Sequence, residues 1–406
     1  MINIFKINIL FADKVLATTM LVLFNVLFLP IELSGFSPVK IAFMGICPLI
    51  FIAKKPIITK ALILAALYLM VCYLLSLLKG EMRFSTLGFL GMYLILYVNF
   101  YSFVVKGTFT LDYFTKILQY LIIAYGVVLI GQQLCVLVGL RNMPLFNLQN
   151  QFFLSITKLP ALTLEPSHSA RILTFAMLGY LRCLEIKKGK KPTIQEWFDK
   201  DHRTVTFLFL WSMLMMGSGT AFAGMGILGL YFITRKTAIY IIPSLILLFG
   251  IGQFLELKQM NRVVSVAQAA SSGEAGDVIE ADGSGAVRVV PLVNAFTKTD
   301  LLELETWIGM KSMDTSQRKS LKDRKIYDQY GLIAFIISLV FIYSCVIRHF
   351  FSIETLLYLI LLGFTLGNIY YAWGCLMIMT GVTYFQKICI ENDTIRISQH
   401  NNSIKQ

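Results

Sequence analysis

Long apolar runs separated by short polar turns fill most of this chain, and one polar stretch, 256–328, interrupts them. A helix needs about 20 apolar residues to cross hydrocarbon. Runs of this kind cover 15–33, 38–53, 61–78, 84–105, 117–138, 169–184, 204–216, 221–233, 238–255, 331–347, 355–366 and 368–385. Several are short, so those helices tilt little, thin the bilayer or re-enter it. The pattern predicts an all-α fold: a polytopic integral membrane bundle of about 12 transmembrane helices, with 1–406 as one membrane domain and one large external loop.

Composition agrees. Of 406 residues, 57% are hydrophobic and only 15% are charged. A soluble domain carries about 25% charged residues. Lipid-facing surface demands the deficit, because a charge near the bilayer centre costs about 2.5–3.5 kcal/mol or more. The net charge of +13 would point to nucleic acid in a soluble protein. Here it has a topological reading. Lys14 stands before the first run, Lys54, Lys55 and Lys60 after the second, Lys106 and Lys116 after the fourth, and Arg182, Lys187, Lys188, Lys190, Lys191 and Arg203 around the end of the sixth. Arg235 and Lys236 follow the eighth, and Arg348 the tenth. Every second loop is the basic one, which places those loops and both termini in the cytoplasm. The loops at 79–83, 141–168, 217–220 and 256–328 are then external, and no nucleic-acid partner is expected.

The seven cysteines lie mostly in or beside apolar runs and form no C-x-x-C pair. Neither disulfides nor a thiolate metal site is expected, and the four histidines are scattered over different loops. The first run lacks a small-residue cleavage pattern, so it reads as a retained span. Within the large loop 256–328, residues 267–286 are rich in Ala, Ser, Gly and acid. They have too little to bury and are expected to be mobile. Residues 287–310 interleave apolar and polar side chains and predict one or two amphipathic helices on the membrane face or over a cavity.

The candidate chemistry gathers where an external loop enters the sixth run, at Leu162-Thr-Leu-Glu-Pro-Ser-His-Ser-Ala-Arg171. Pro166 suits a first helical turn. His168 and Arg171 are three apart and share a helix face. A helix N-terminus adds free N–H groups for an anion. Glu165 thus meets an imidazole and a guanidinium at one interface; the competing reading has Glu165 capping the helix and Arg171 snorkelling outward. Arg288 has the planar fork suited to phosphate or pyrophosphate, or is a solvated loop charge. Arg262 is open to the same two readings. Gly224-Met-Gly-Ile-Leu-Gly229 matches a dinucleotide fingerprint in letters, but it lies inside an apolar run and reads as helix packing through small residues.

The arrangement resembles the bacterial O-antigen polymerase and O-antigen ligase superfamily, membrane glycosyltransferases of the GT-C type. Glu165-Pro-Ser-His-Ser-Ala170 is similar to the E-P-S-x-x-A stretch of exopolysaccharide polymerases. Met216-Gly-Ser-Gly-Thr220 looks like the family's Ser/Thr/Gly-rich span start. Arg288 stands before an amphipathic stretch in a late external loop. Trp307-Ile-Gly-Met310 resembles a Phe-Gly-x-Gly element, and Tyr327-Asp-Gln-Tyr-Gly-Leu-Ile333 the lead into the next span. A ligase is expected to carry a histidine in the long loop, and 256–328 has none.

The resemblance therefore implies a polysaccharide polymerase of O-antigen, capsule or exopolysaccharide in the bacterial plasma membrane. Donor and acceptor would be undecaprenyl-pyrophosphate-linked repeat units, with a chain-length regulator protein as a further partner and no cofactor or metal. Arg171, Arg288 and Arg262 would hold pyrophosphate, and Glu165, or else His168, would take the acceptor proton. A lipid-linked oligosaccharide flippase and a ligase are the alternatives.

Overall fold

The structure, a computed structural model, describes residues 2–26, 37–54, 57–80, 82–140, 156–233, 271–281, 283–310, 323–363 and 369–404, together with 239–240, 243, 264–266, 268–269 and 366. The side chains of 2–11, 275, 283–285, 287–288 and 392–404 are outside that description. Among the described residues the regular secondary structure is helical, with no strand. In chain order the helices are α1 (Ile2–Asn25), α2 (Pro38–Ala53), α3 (Lys60–Leu78), α4 (Phe84–Val105), α5 (Leu111–Leu137), α6 (Pro166–Lys188), α7 (Ile194–Trp197), α8 (Arg203–Met215) and α9 (Gly219–Tyr231). They continue with α10 (Ala275–Ala281), α11 (Gly283–Thr297), α12 (Leu304–Ile308), α13 (Gly331–Cys345), α14 (Ile353–Leu362) and α15 (Tyr370–Ile404).

Three helices, α3, α4 and α5, are long and apolar enough to cross a membrane. α2, α8, α9, α13 and α14 are shorter apolar helices. The run 238–255 lies almost wholly outside the described residues. The apolar pattern missed α7, whose start is set by a capping box between Thr193 and Glu196.

Helix directions follow from paired contacts at both ends. Lys60, at the start of α3, donates to the Ser344 carbonyl at the end of α13. Lys79, after α3, donates to the Gln329 carbonyl at 2.5 Å, just before α13. The two helices are therefore antiparallel. α6, α9 and α15 run parallel: Gly224 meets Thr174, and Gly179 meets Ile378. Arg171 meets Tyr371 near both N-termini.

The bundle thus has two chemically different ends. At one, Lys54 pairs with Asp13 at 2.7 Å, Lys187 with Asp112 at 2.7 Å, and Arg182 with Glu354 at 2.7 Å. Basic residues from alternate loops meet there. The start of α6 lies at the other end.

α6 is the hub, and every residue from Ser169 to Leu181 is buried. It packs against α5, α8, α9 and α15. Small residues allow this approach. A Cβ on Gly224 of α9 would sit 2.3 Å from Thr174 Oγ1, whereas Gly226 and Gly229 face open space. The G-x-G-x-x-G letters thus mark one tight helix crossing, made by the first glycine alone.

Within 267–286, the stretch that composition predicts to be mobile, residues 275–281 form α10. Val278 packs there with Ala286 and Val290 of α11 in a small cluster of their own. The amphipathic stretch forms two helices, α11 and α12. Asn294 Nδ2 donates to the Arg324 carbonyl at 2.9 Å, and Ile326 N to the Pro291 carbonyl at 3.1 Å, fastening α11 to the segment before α13.

Candidate functional site

The lead into α6 is a held loop. Lys158 and Ala161 are non-glycine residues with φ of +67° and +50°, a conformation that side chains disfavour. Gln132 of α5 holds the second with both ends of its amide: Nε2 donates to the Ala161 carbonyl at 3.0 Å, and Oε1 accepts from Ala161 N–H at 2.9 Å. Lys158 N–H donates to the Met215 carbonyl at 3.2 Å, tying the loop to the Met216–Thr220 turn. The Thr163 and Ser169 hydroxyls bond at 2.7 Å, and Ser169 also donates to the Pro160 carbonyl. These contacts direct residues 165–171 toward α15.

Glu165 occupies the N-cap position with extended backbone, but its side chain makes no capping bond. It instead accepts from Ser167 Oγ at 3.3 Å and lies 3.6 Å from His168 Nε2. Arg171 does not snorkel. It is 3% exposed, donates from Nη1 to the Tyr371 hydroxyl, and lies 4.8 Å over that ring. The His168 and Tyr371 rings are 4.4 Å apart and tilted by 33°. One helical turn therefore brings His168 and Arg171 onto the same tyrosine.

Access grades along that turn. The Glu165 side chain is 59% exposed and His168 22%, while Arg171 is buried. A carboxylate near water, an imidazole beside it and a fixed guanidinium behind can accept a proton and hold an anion. The Tyr371 hydroxyl and ring orient the guanidinium.

Sequence reasoning did not single out Tyr371. It starts the last long helix beside Tyr370, and aromatic residues at span starts are a signal that was available. Lys40 was also missed. It is 1% exposed on α2, and its ammonium lies 5.0 Å over the Tyr370 ring. A lysine inside an apolar run is a flag in its own right.

Arg288 lies on α11, but its side chain lies outside the described residues, and so does all of Arg262. Trp307-Ile-Gly-Met310 and Tyr327–Ile333 do meet. Met310 N–H donates to the Asp328 carbonyl at 2.9 Å, and the backbones of Gly309 and Gly331 cross in contact, with φ of +85° and +76°. A Cβ on Gly331 would lie 2.2 Å from the Trp307 carbonyl oxygen.

A groove of about 390 Å³ runs along α1 beside Val15, Val22 and Tyr113. A cleft of about 70 Å³ lies by Tyr68, Gln329 and Tyr330. Neither is lined by Glu165, His168 or Arg171. Among the described residues no group of three or more His, Cys, Asp or Glu side chains is placed to hold a metal ion.

The lysine run after Arg182 belongs to the opposite end. Lys188 and Lys190 reach Glu196 at 3.4 and 3.7 Å. The Thr193 backbone N–H and these lysines hold the Glu196 carboxyl below its usual pKa. Lys187 does the same for Asp112. Burial first, and Lys188 next, push the His202 imidazole down. Its Nδ1 is 2.7 Å from the Tyr180 hydroxyl.

Comparison with protein-family models, with curated proteins and with solved structures finds no match for this chain.

Proposed function

We propose that the chain is a multi-spanning protein of the bacterial plasma membrane that polymerises undecaprenyl-pyrophosphate-linked repeat units at the outer face. The observation that supports it is the meeting of His168 and Arg171 on Tyr371, with Glu165 beside His168, at the bundle end opposite the paired lysines. In this reading the basic end is cytoplasmic, and the Glu165 end faces outward.

In the proposed step, a hydroxyl of the acceptor unit attacks the anomeric carbon of the donor. The new C–O bond forms as the anomeric bond to pyrophosphate breaks. Glu165 takes the hydroxyl proton, with His168 as the other candidate base. Arg171 meets the negative charge that develops on the departing undecaprenyl pyrophosphate, with Arg288 and Arg262 of the long loop as further ligands. Pyrophosphate is a good leaving group, so the step needs no metal. In this reading α11 and α12 cover the site and limit water as a competing acceptor.

A deletion strain tests this reading. Loss of a polymerase leaves single repeat units on the surface lipid. Loss of a flippase traps units inside, and loss of a ligase leaves polymer unattached; either result would replace the proposal. Complementation with Glu165→Gln and with Arg171→Lys is expected to leave single units, because lysine lacks the two-pronged geometry of arginine.

A further inference from the structure

The turn between α11 and α12 presents large apolar side chains outward. Leu302 is 95% exposed, Phe296 78%, Leu304 69% and Leu301 57%. Single apolar residues on a surface need no explanation, but a cluster marks an interaction site. The backbone beneath these side chains is held. Leu302 N–H donates to Asp300 Oδ1 at 2.8 Å, and the Trp307 indole donates to the Leu301 carbonyl at 2.8 Å. At the base, the Thr299 and Tyr327 hydroxyls bond at 2.5 Å, and Gly309 crosses Gly331. The leucines therefore cannot fold back onto the protein without breaking these bonds.

The base of this prong is the N-terminus of α13. Ile333, Ile336 and Val340 expose an apolar face on α13, and Leu74, Leu77 and Leu78 do so on the α3 end that packs beside it. The apolar outer surface of these two helices thus ends at the level of the prong. A bilayer covering the helices would reach it without a break.

We propose that residues 296–304 insert into the lipid leaflet at this end of the bundle, their partner being the boundary between acyl chains and headgroups. Trp307 at the base suits that boundary, with an apolar body and a polar N–H. Asp300 and Glu303, interleaved with the leucines, limit insertion to the boundary. The inference rests on the membrane placement proposed above and on none of the chemistry.

Full-length protein in phosphatidylethanolamine/phosphatidylglycerol vesicles tests it. A nitroxide is attached at Leu302→Cys, with the partly exposed Cys135 and Cys389 changed to serine. Collision with oxygen, which concentrates in lipid, is compared with collision with an aqueous nickel chelate. The label at 302 is expected to favour oxygen, as a label at Leu74→Cys on α3 does, while one at Ser271→Cys favours nickel. Adding Leu301→Asp and Leu302→Asp is expected to move a label at Phe296→Cys toward nickel. If 302 favours nickel while 74 favours oxygen, the prong stands in water and the proposal fails alone. If 74 also favours nickel, the membrane placement falls and takes the proposal with it. Protection of 302 from both reagents would mean a protein partner and would equally overturn it.

Discussion

The two ends of α6 each carry an arginine beside a tyrosine and a glutamate, yet they are built differently. Arg182 donates to Glu354 at 2.7 Å and to Glu185 at 2.8 Å, and lies 5.1 Å over the Tyr231 ring. Tyr231 in turn donates to Glu185 at 2.9 Å. Two carboxylates answer one guanidinium, and this trio, with Tyr231, ties α6, α9 and α14 together. Arg171 is met by the hydroxyl and ring of Tyr371, while Glu165 is turned to Ser167 and His168 in a more open position. A closed ion pair joins helices. Arg171, stacked on Tyr371 beside the more open His168 and Glu165, is the candidate binding group. The same residue types thus make a fastener at one end and a candidate binding group at the other.

The sharpest way to break this comparison is to remove a carboxylate from the fastener. Losing one partner of a buried pair costs about 3–5 kcal/mol. Arg182 and Glu354 side chains are 14% and 11% exposed. Glu354→Ala is expected to lower the unfolding midpoint in detergent by many degrees; an unchanged midpoint would make the trio ornamental.

At the other end, Tyr371→Phe removes one hydrogen bond to a charged group, about 1.5–3 kcal/mol, and keeps the ring. Under the proposed reading, polymer synthesis should fall roughly tenfold to a hundredfold, with the unfolding midpoint lowered by less than Glu354→Ala lowers it. A fall in stability with normal polymer would reverse the assignment of the two ends.

Gly331→Ala places a Cβ in the Trp307 carbonyl at a positive φ, a strain of about 1–3 kcal/mol or more. It should loosen α12 from α13, seen as faster proteolysis between α11 and α13, while the Arg182 trio keeps its effect on unfolding.

The smallest effect belongs to His202. Its folded pKa is depressed below the ordinary 6.5, chiefly by burial. The unfolded chain therefore binds the proton first, so stability present above pH 6.5 declines as pH falls below it, an effect weakened by solvent screening at this half-exposed site. His202→Gln should flatten the unfolding midpoint between pH 6.5 and 5. Asp112 and Glu196 act in the opposite range of the scale. Their depressed pKa values lend stability that is lost only well into acid, below the ordinary carboxylate range.

Much of this was legible in the apolar pattern. The runs 38–53 and 84–105 coincide with α2 and α4, and most other runs differ from their helices by a few residues at the ends. α1 begins well before the run that marks it, because its first residues mix charge with apolar side chains. The Glu165–Arg171 segment was legible as a helix start, since Pro166 and three-residue spacing are local signals. Tyr371 was not, because 200 residues separate it from Arg171. Nor was Glu354, which is 172 residues from Arg182.

Hydrophobic periodicity and the spacing of charges are properties of neighbouring residues, so the chain alone determined that it is helical, that apolar runs fill most of it, and that its basic residues fall in alternate loops. Which arginine would be closed by carboxylates and which would rest on a tyrosine depended on how α6, α14 and α15 lie side by side. Tertiary packing decided that, because close approach at residues such as Thr174 and Gly224 sets the depth at which distant side chains meet.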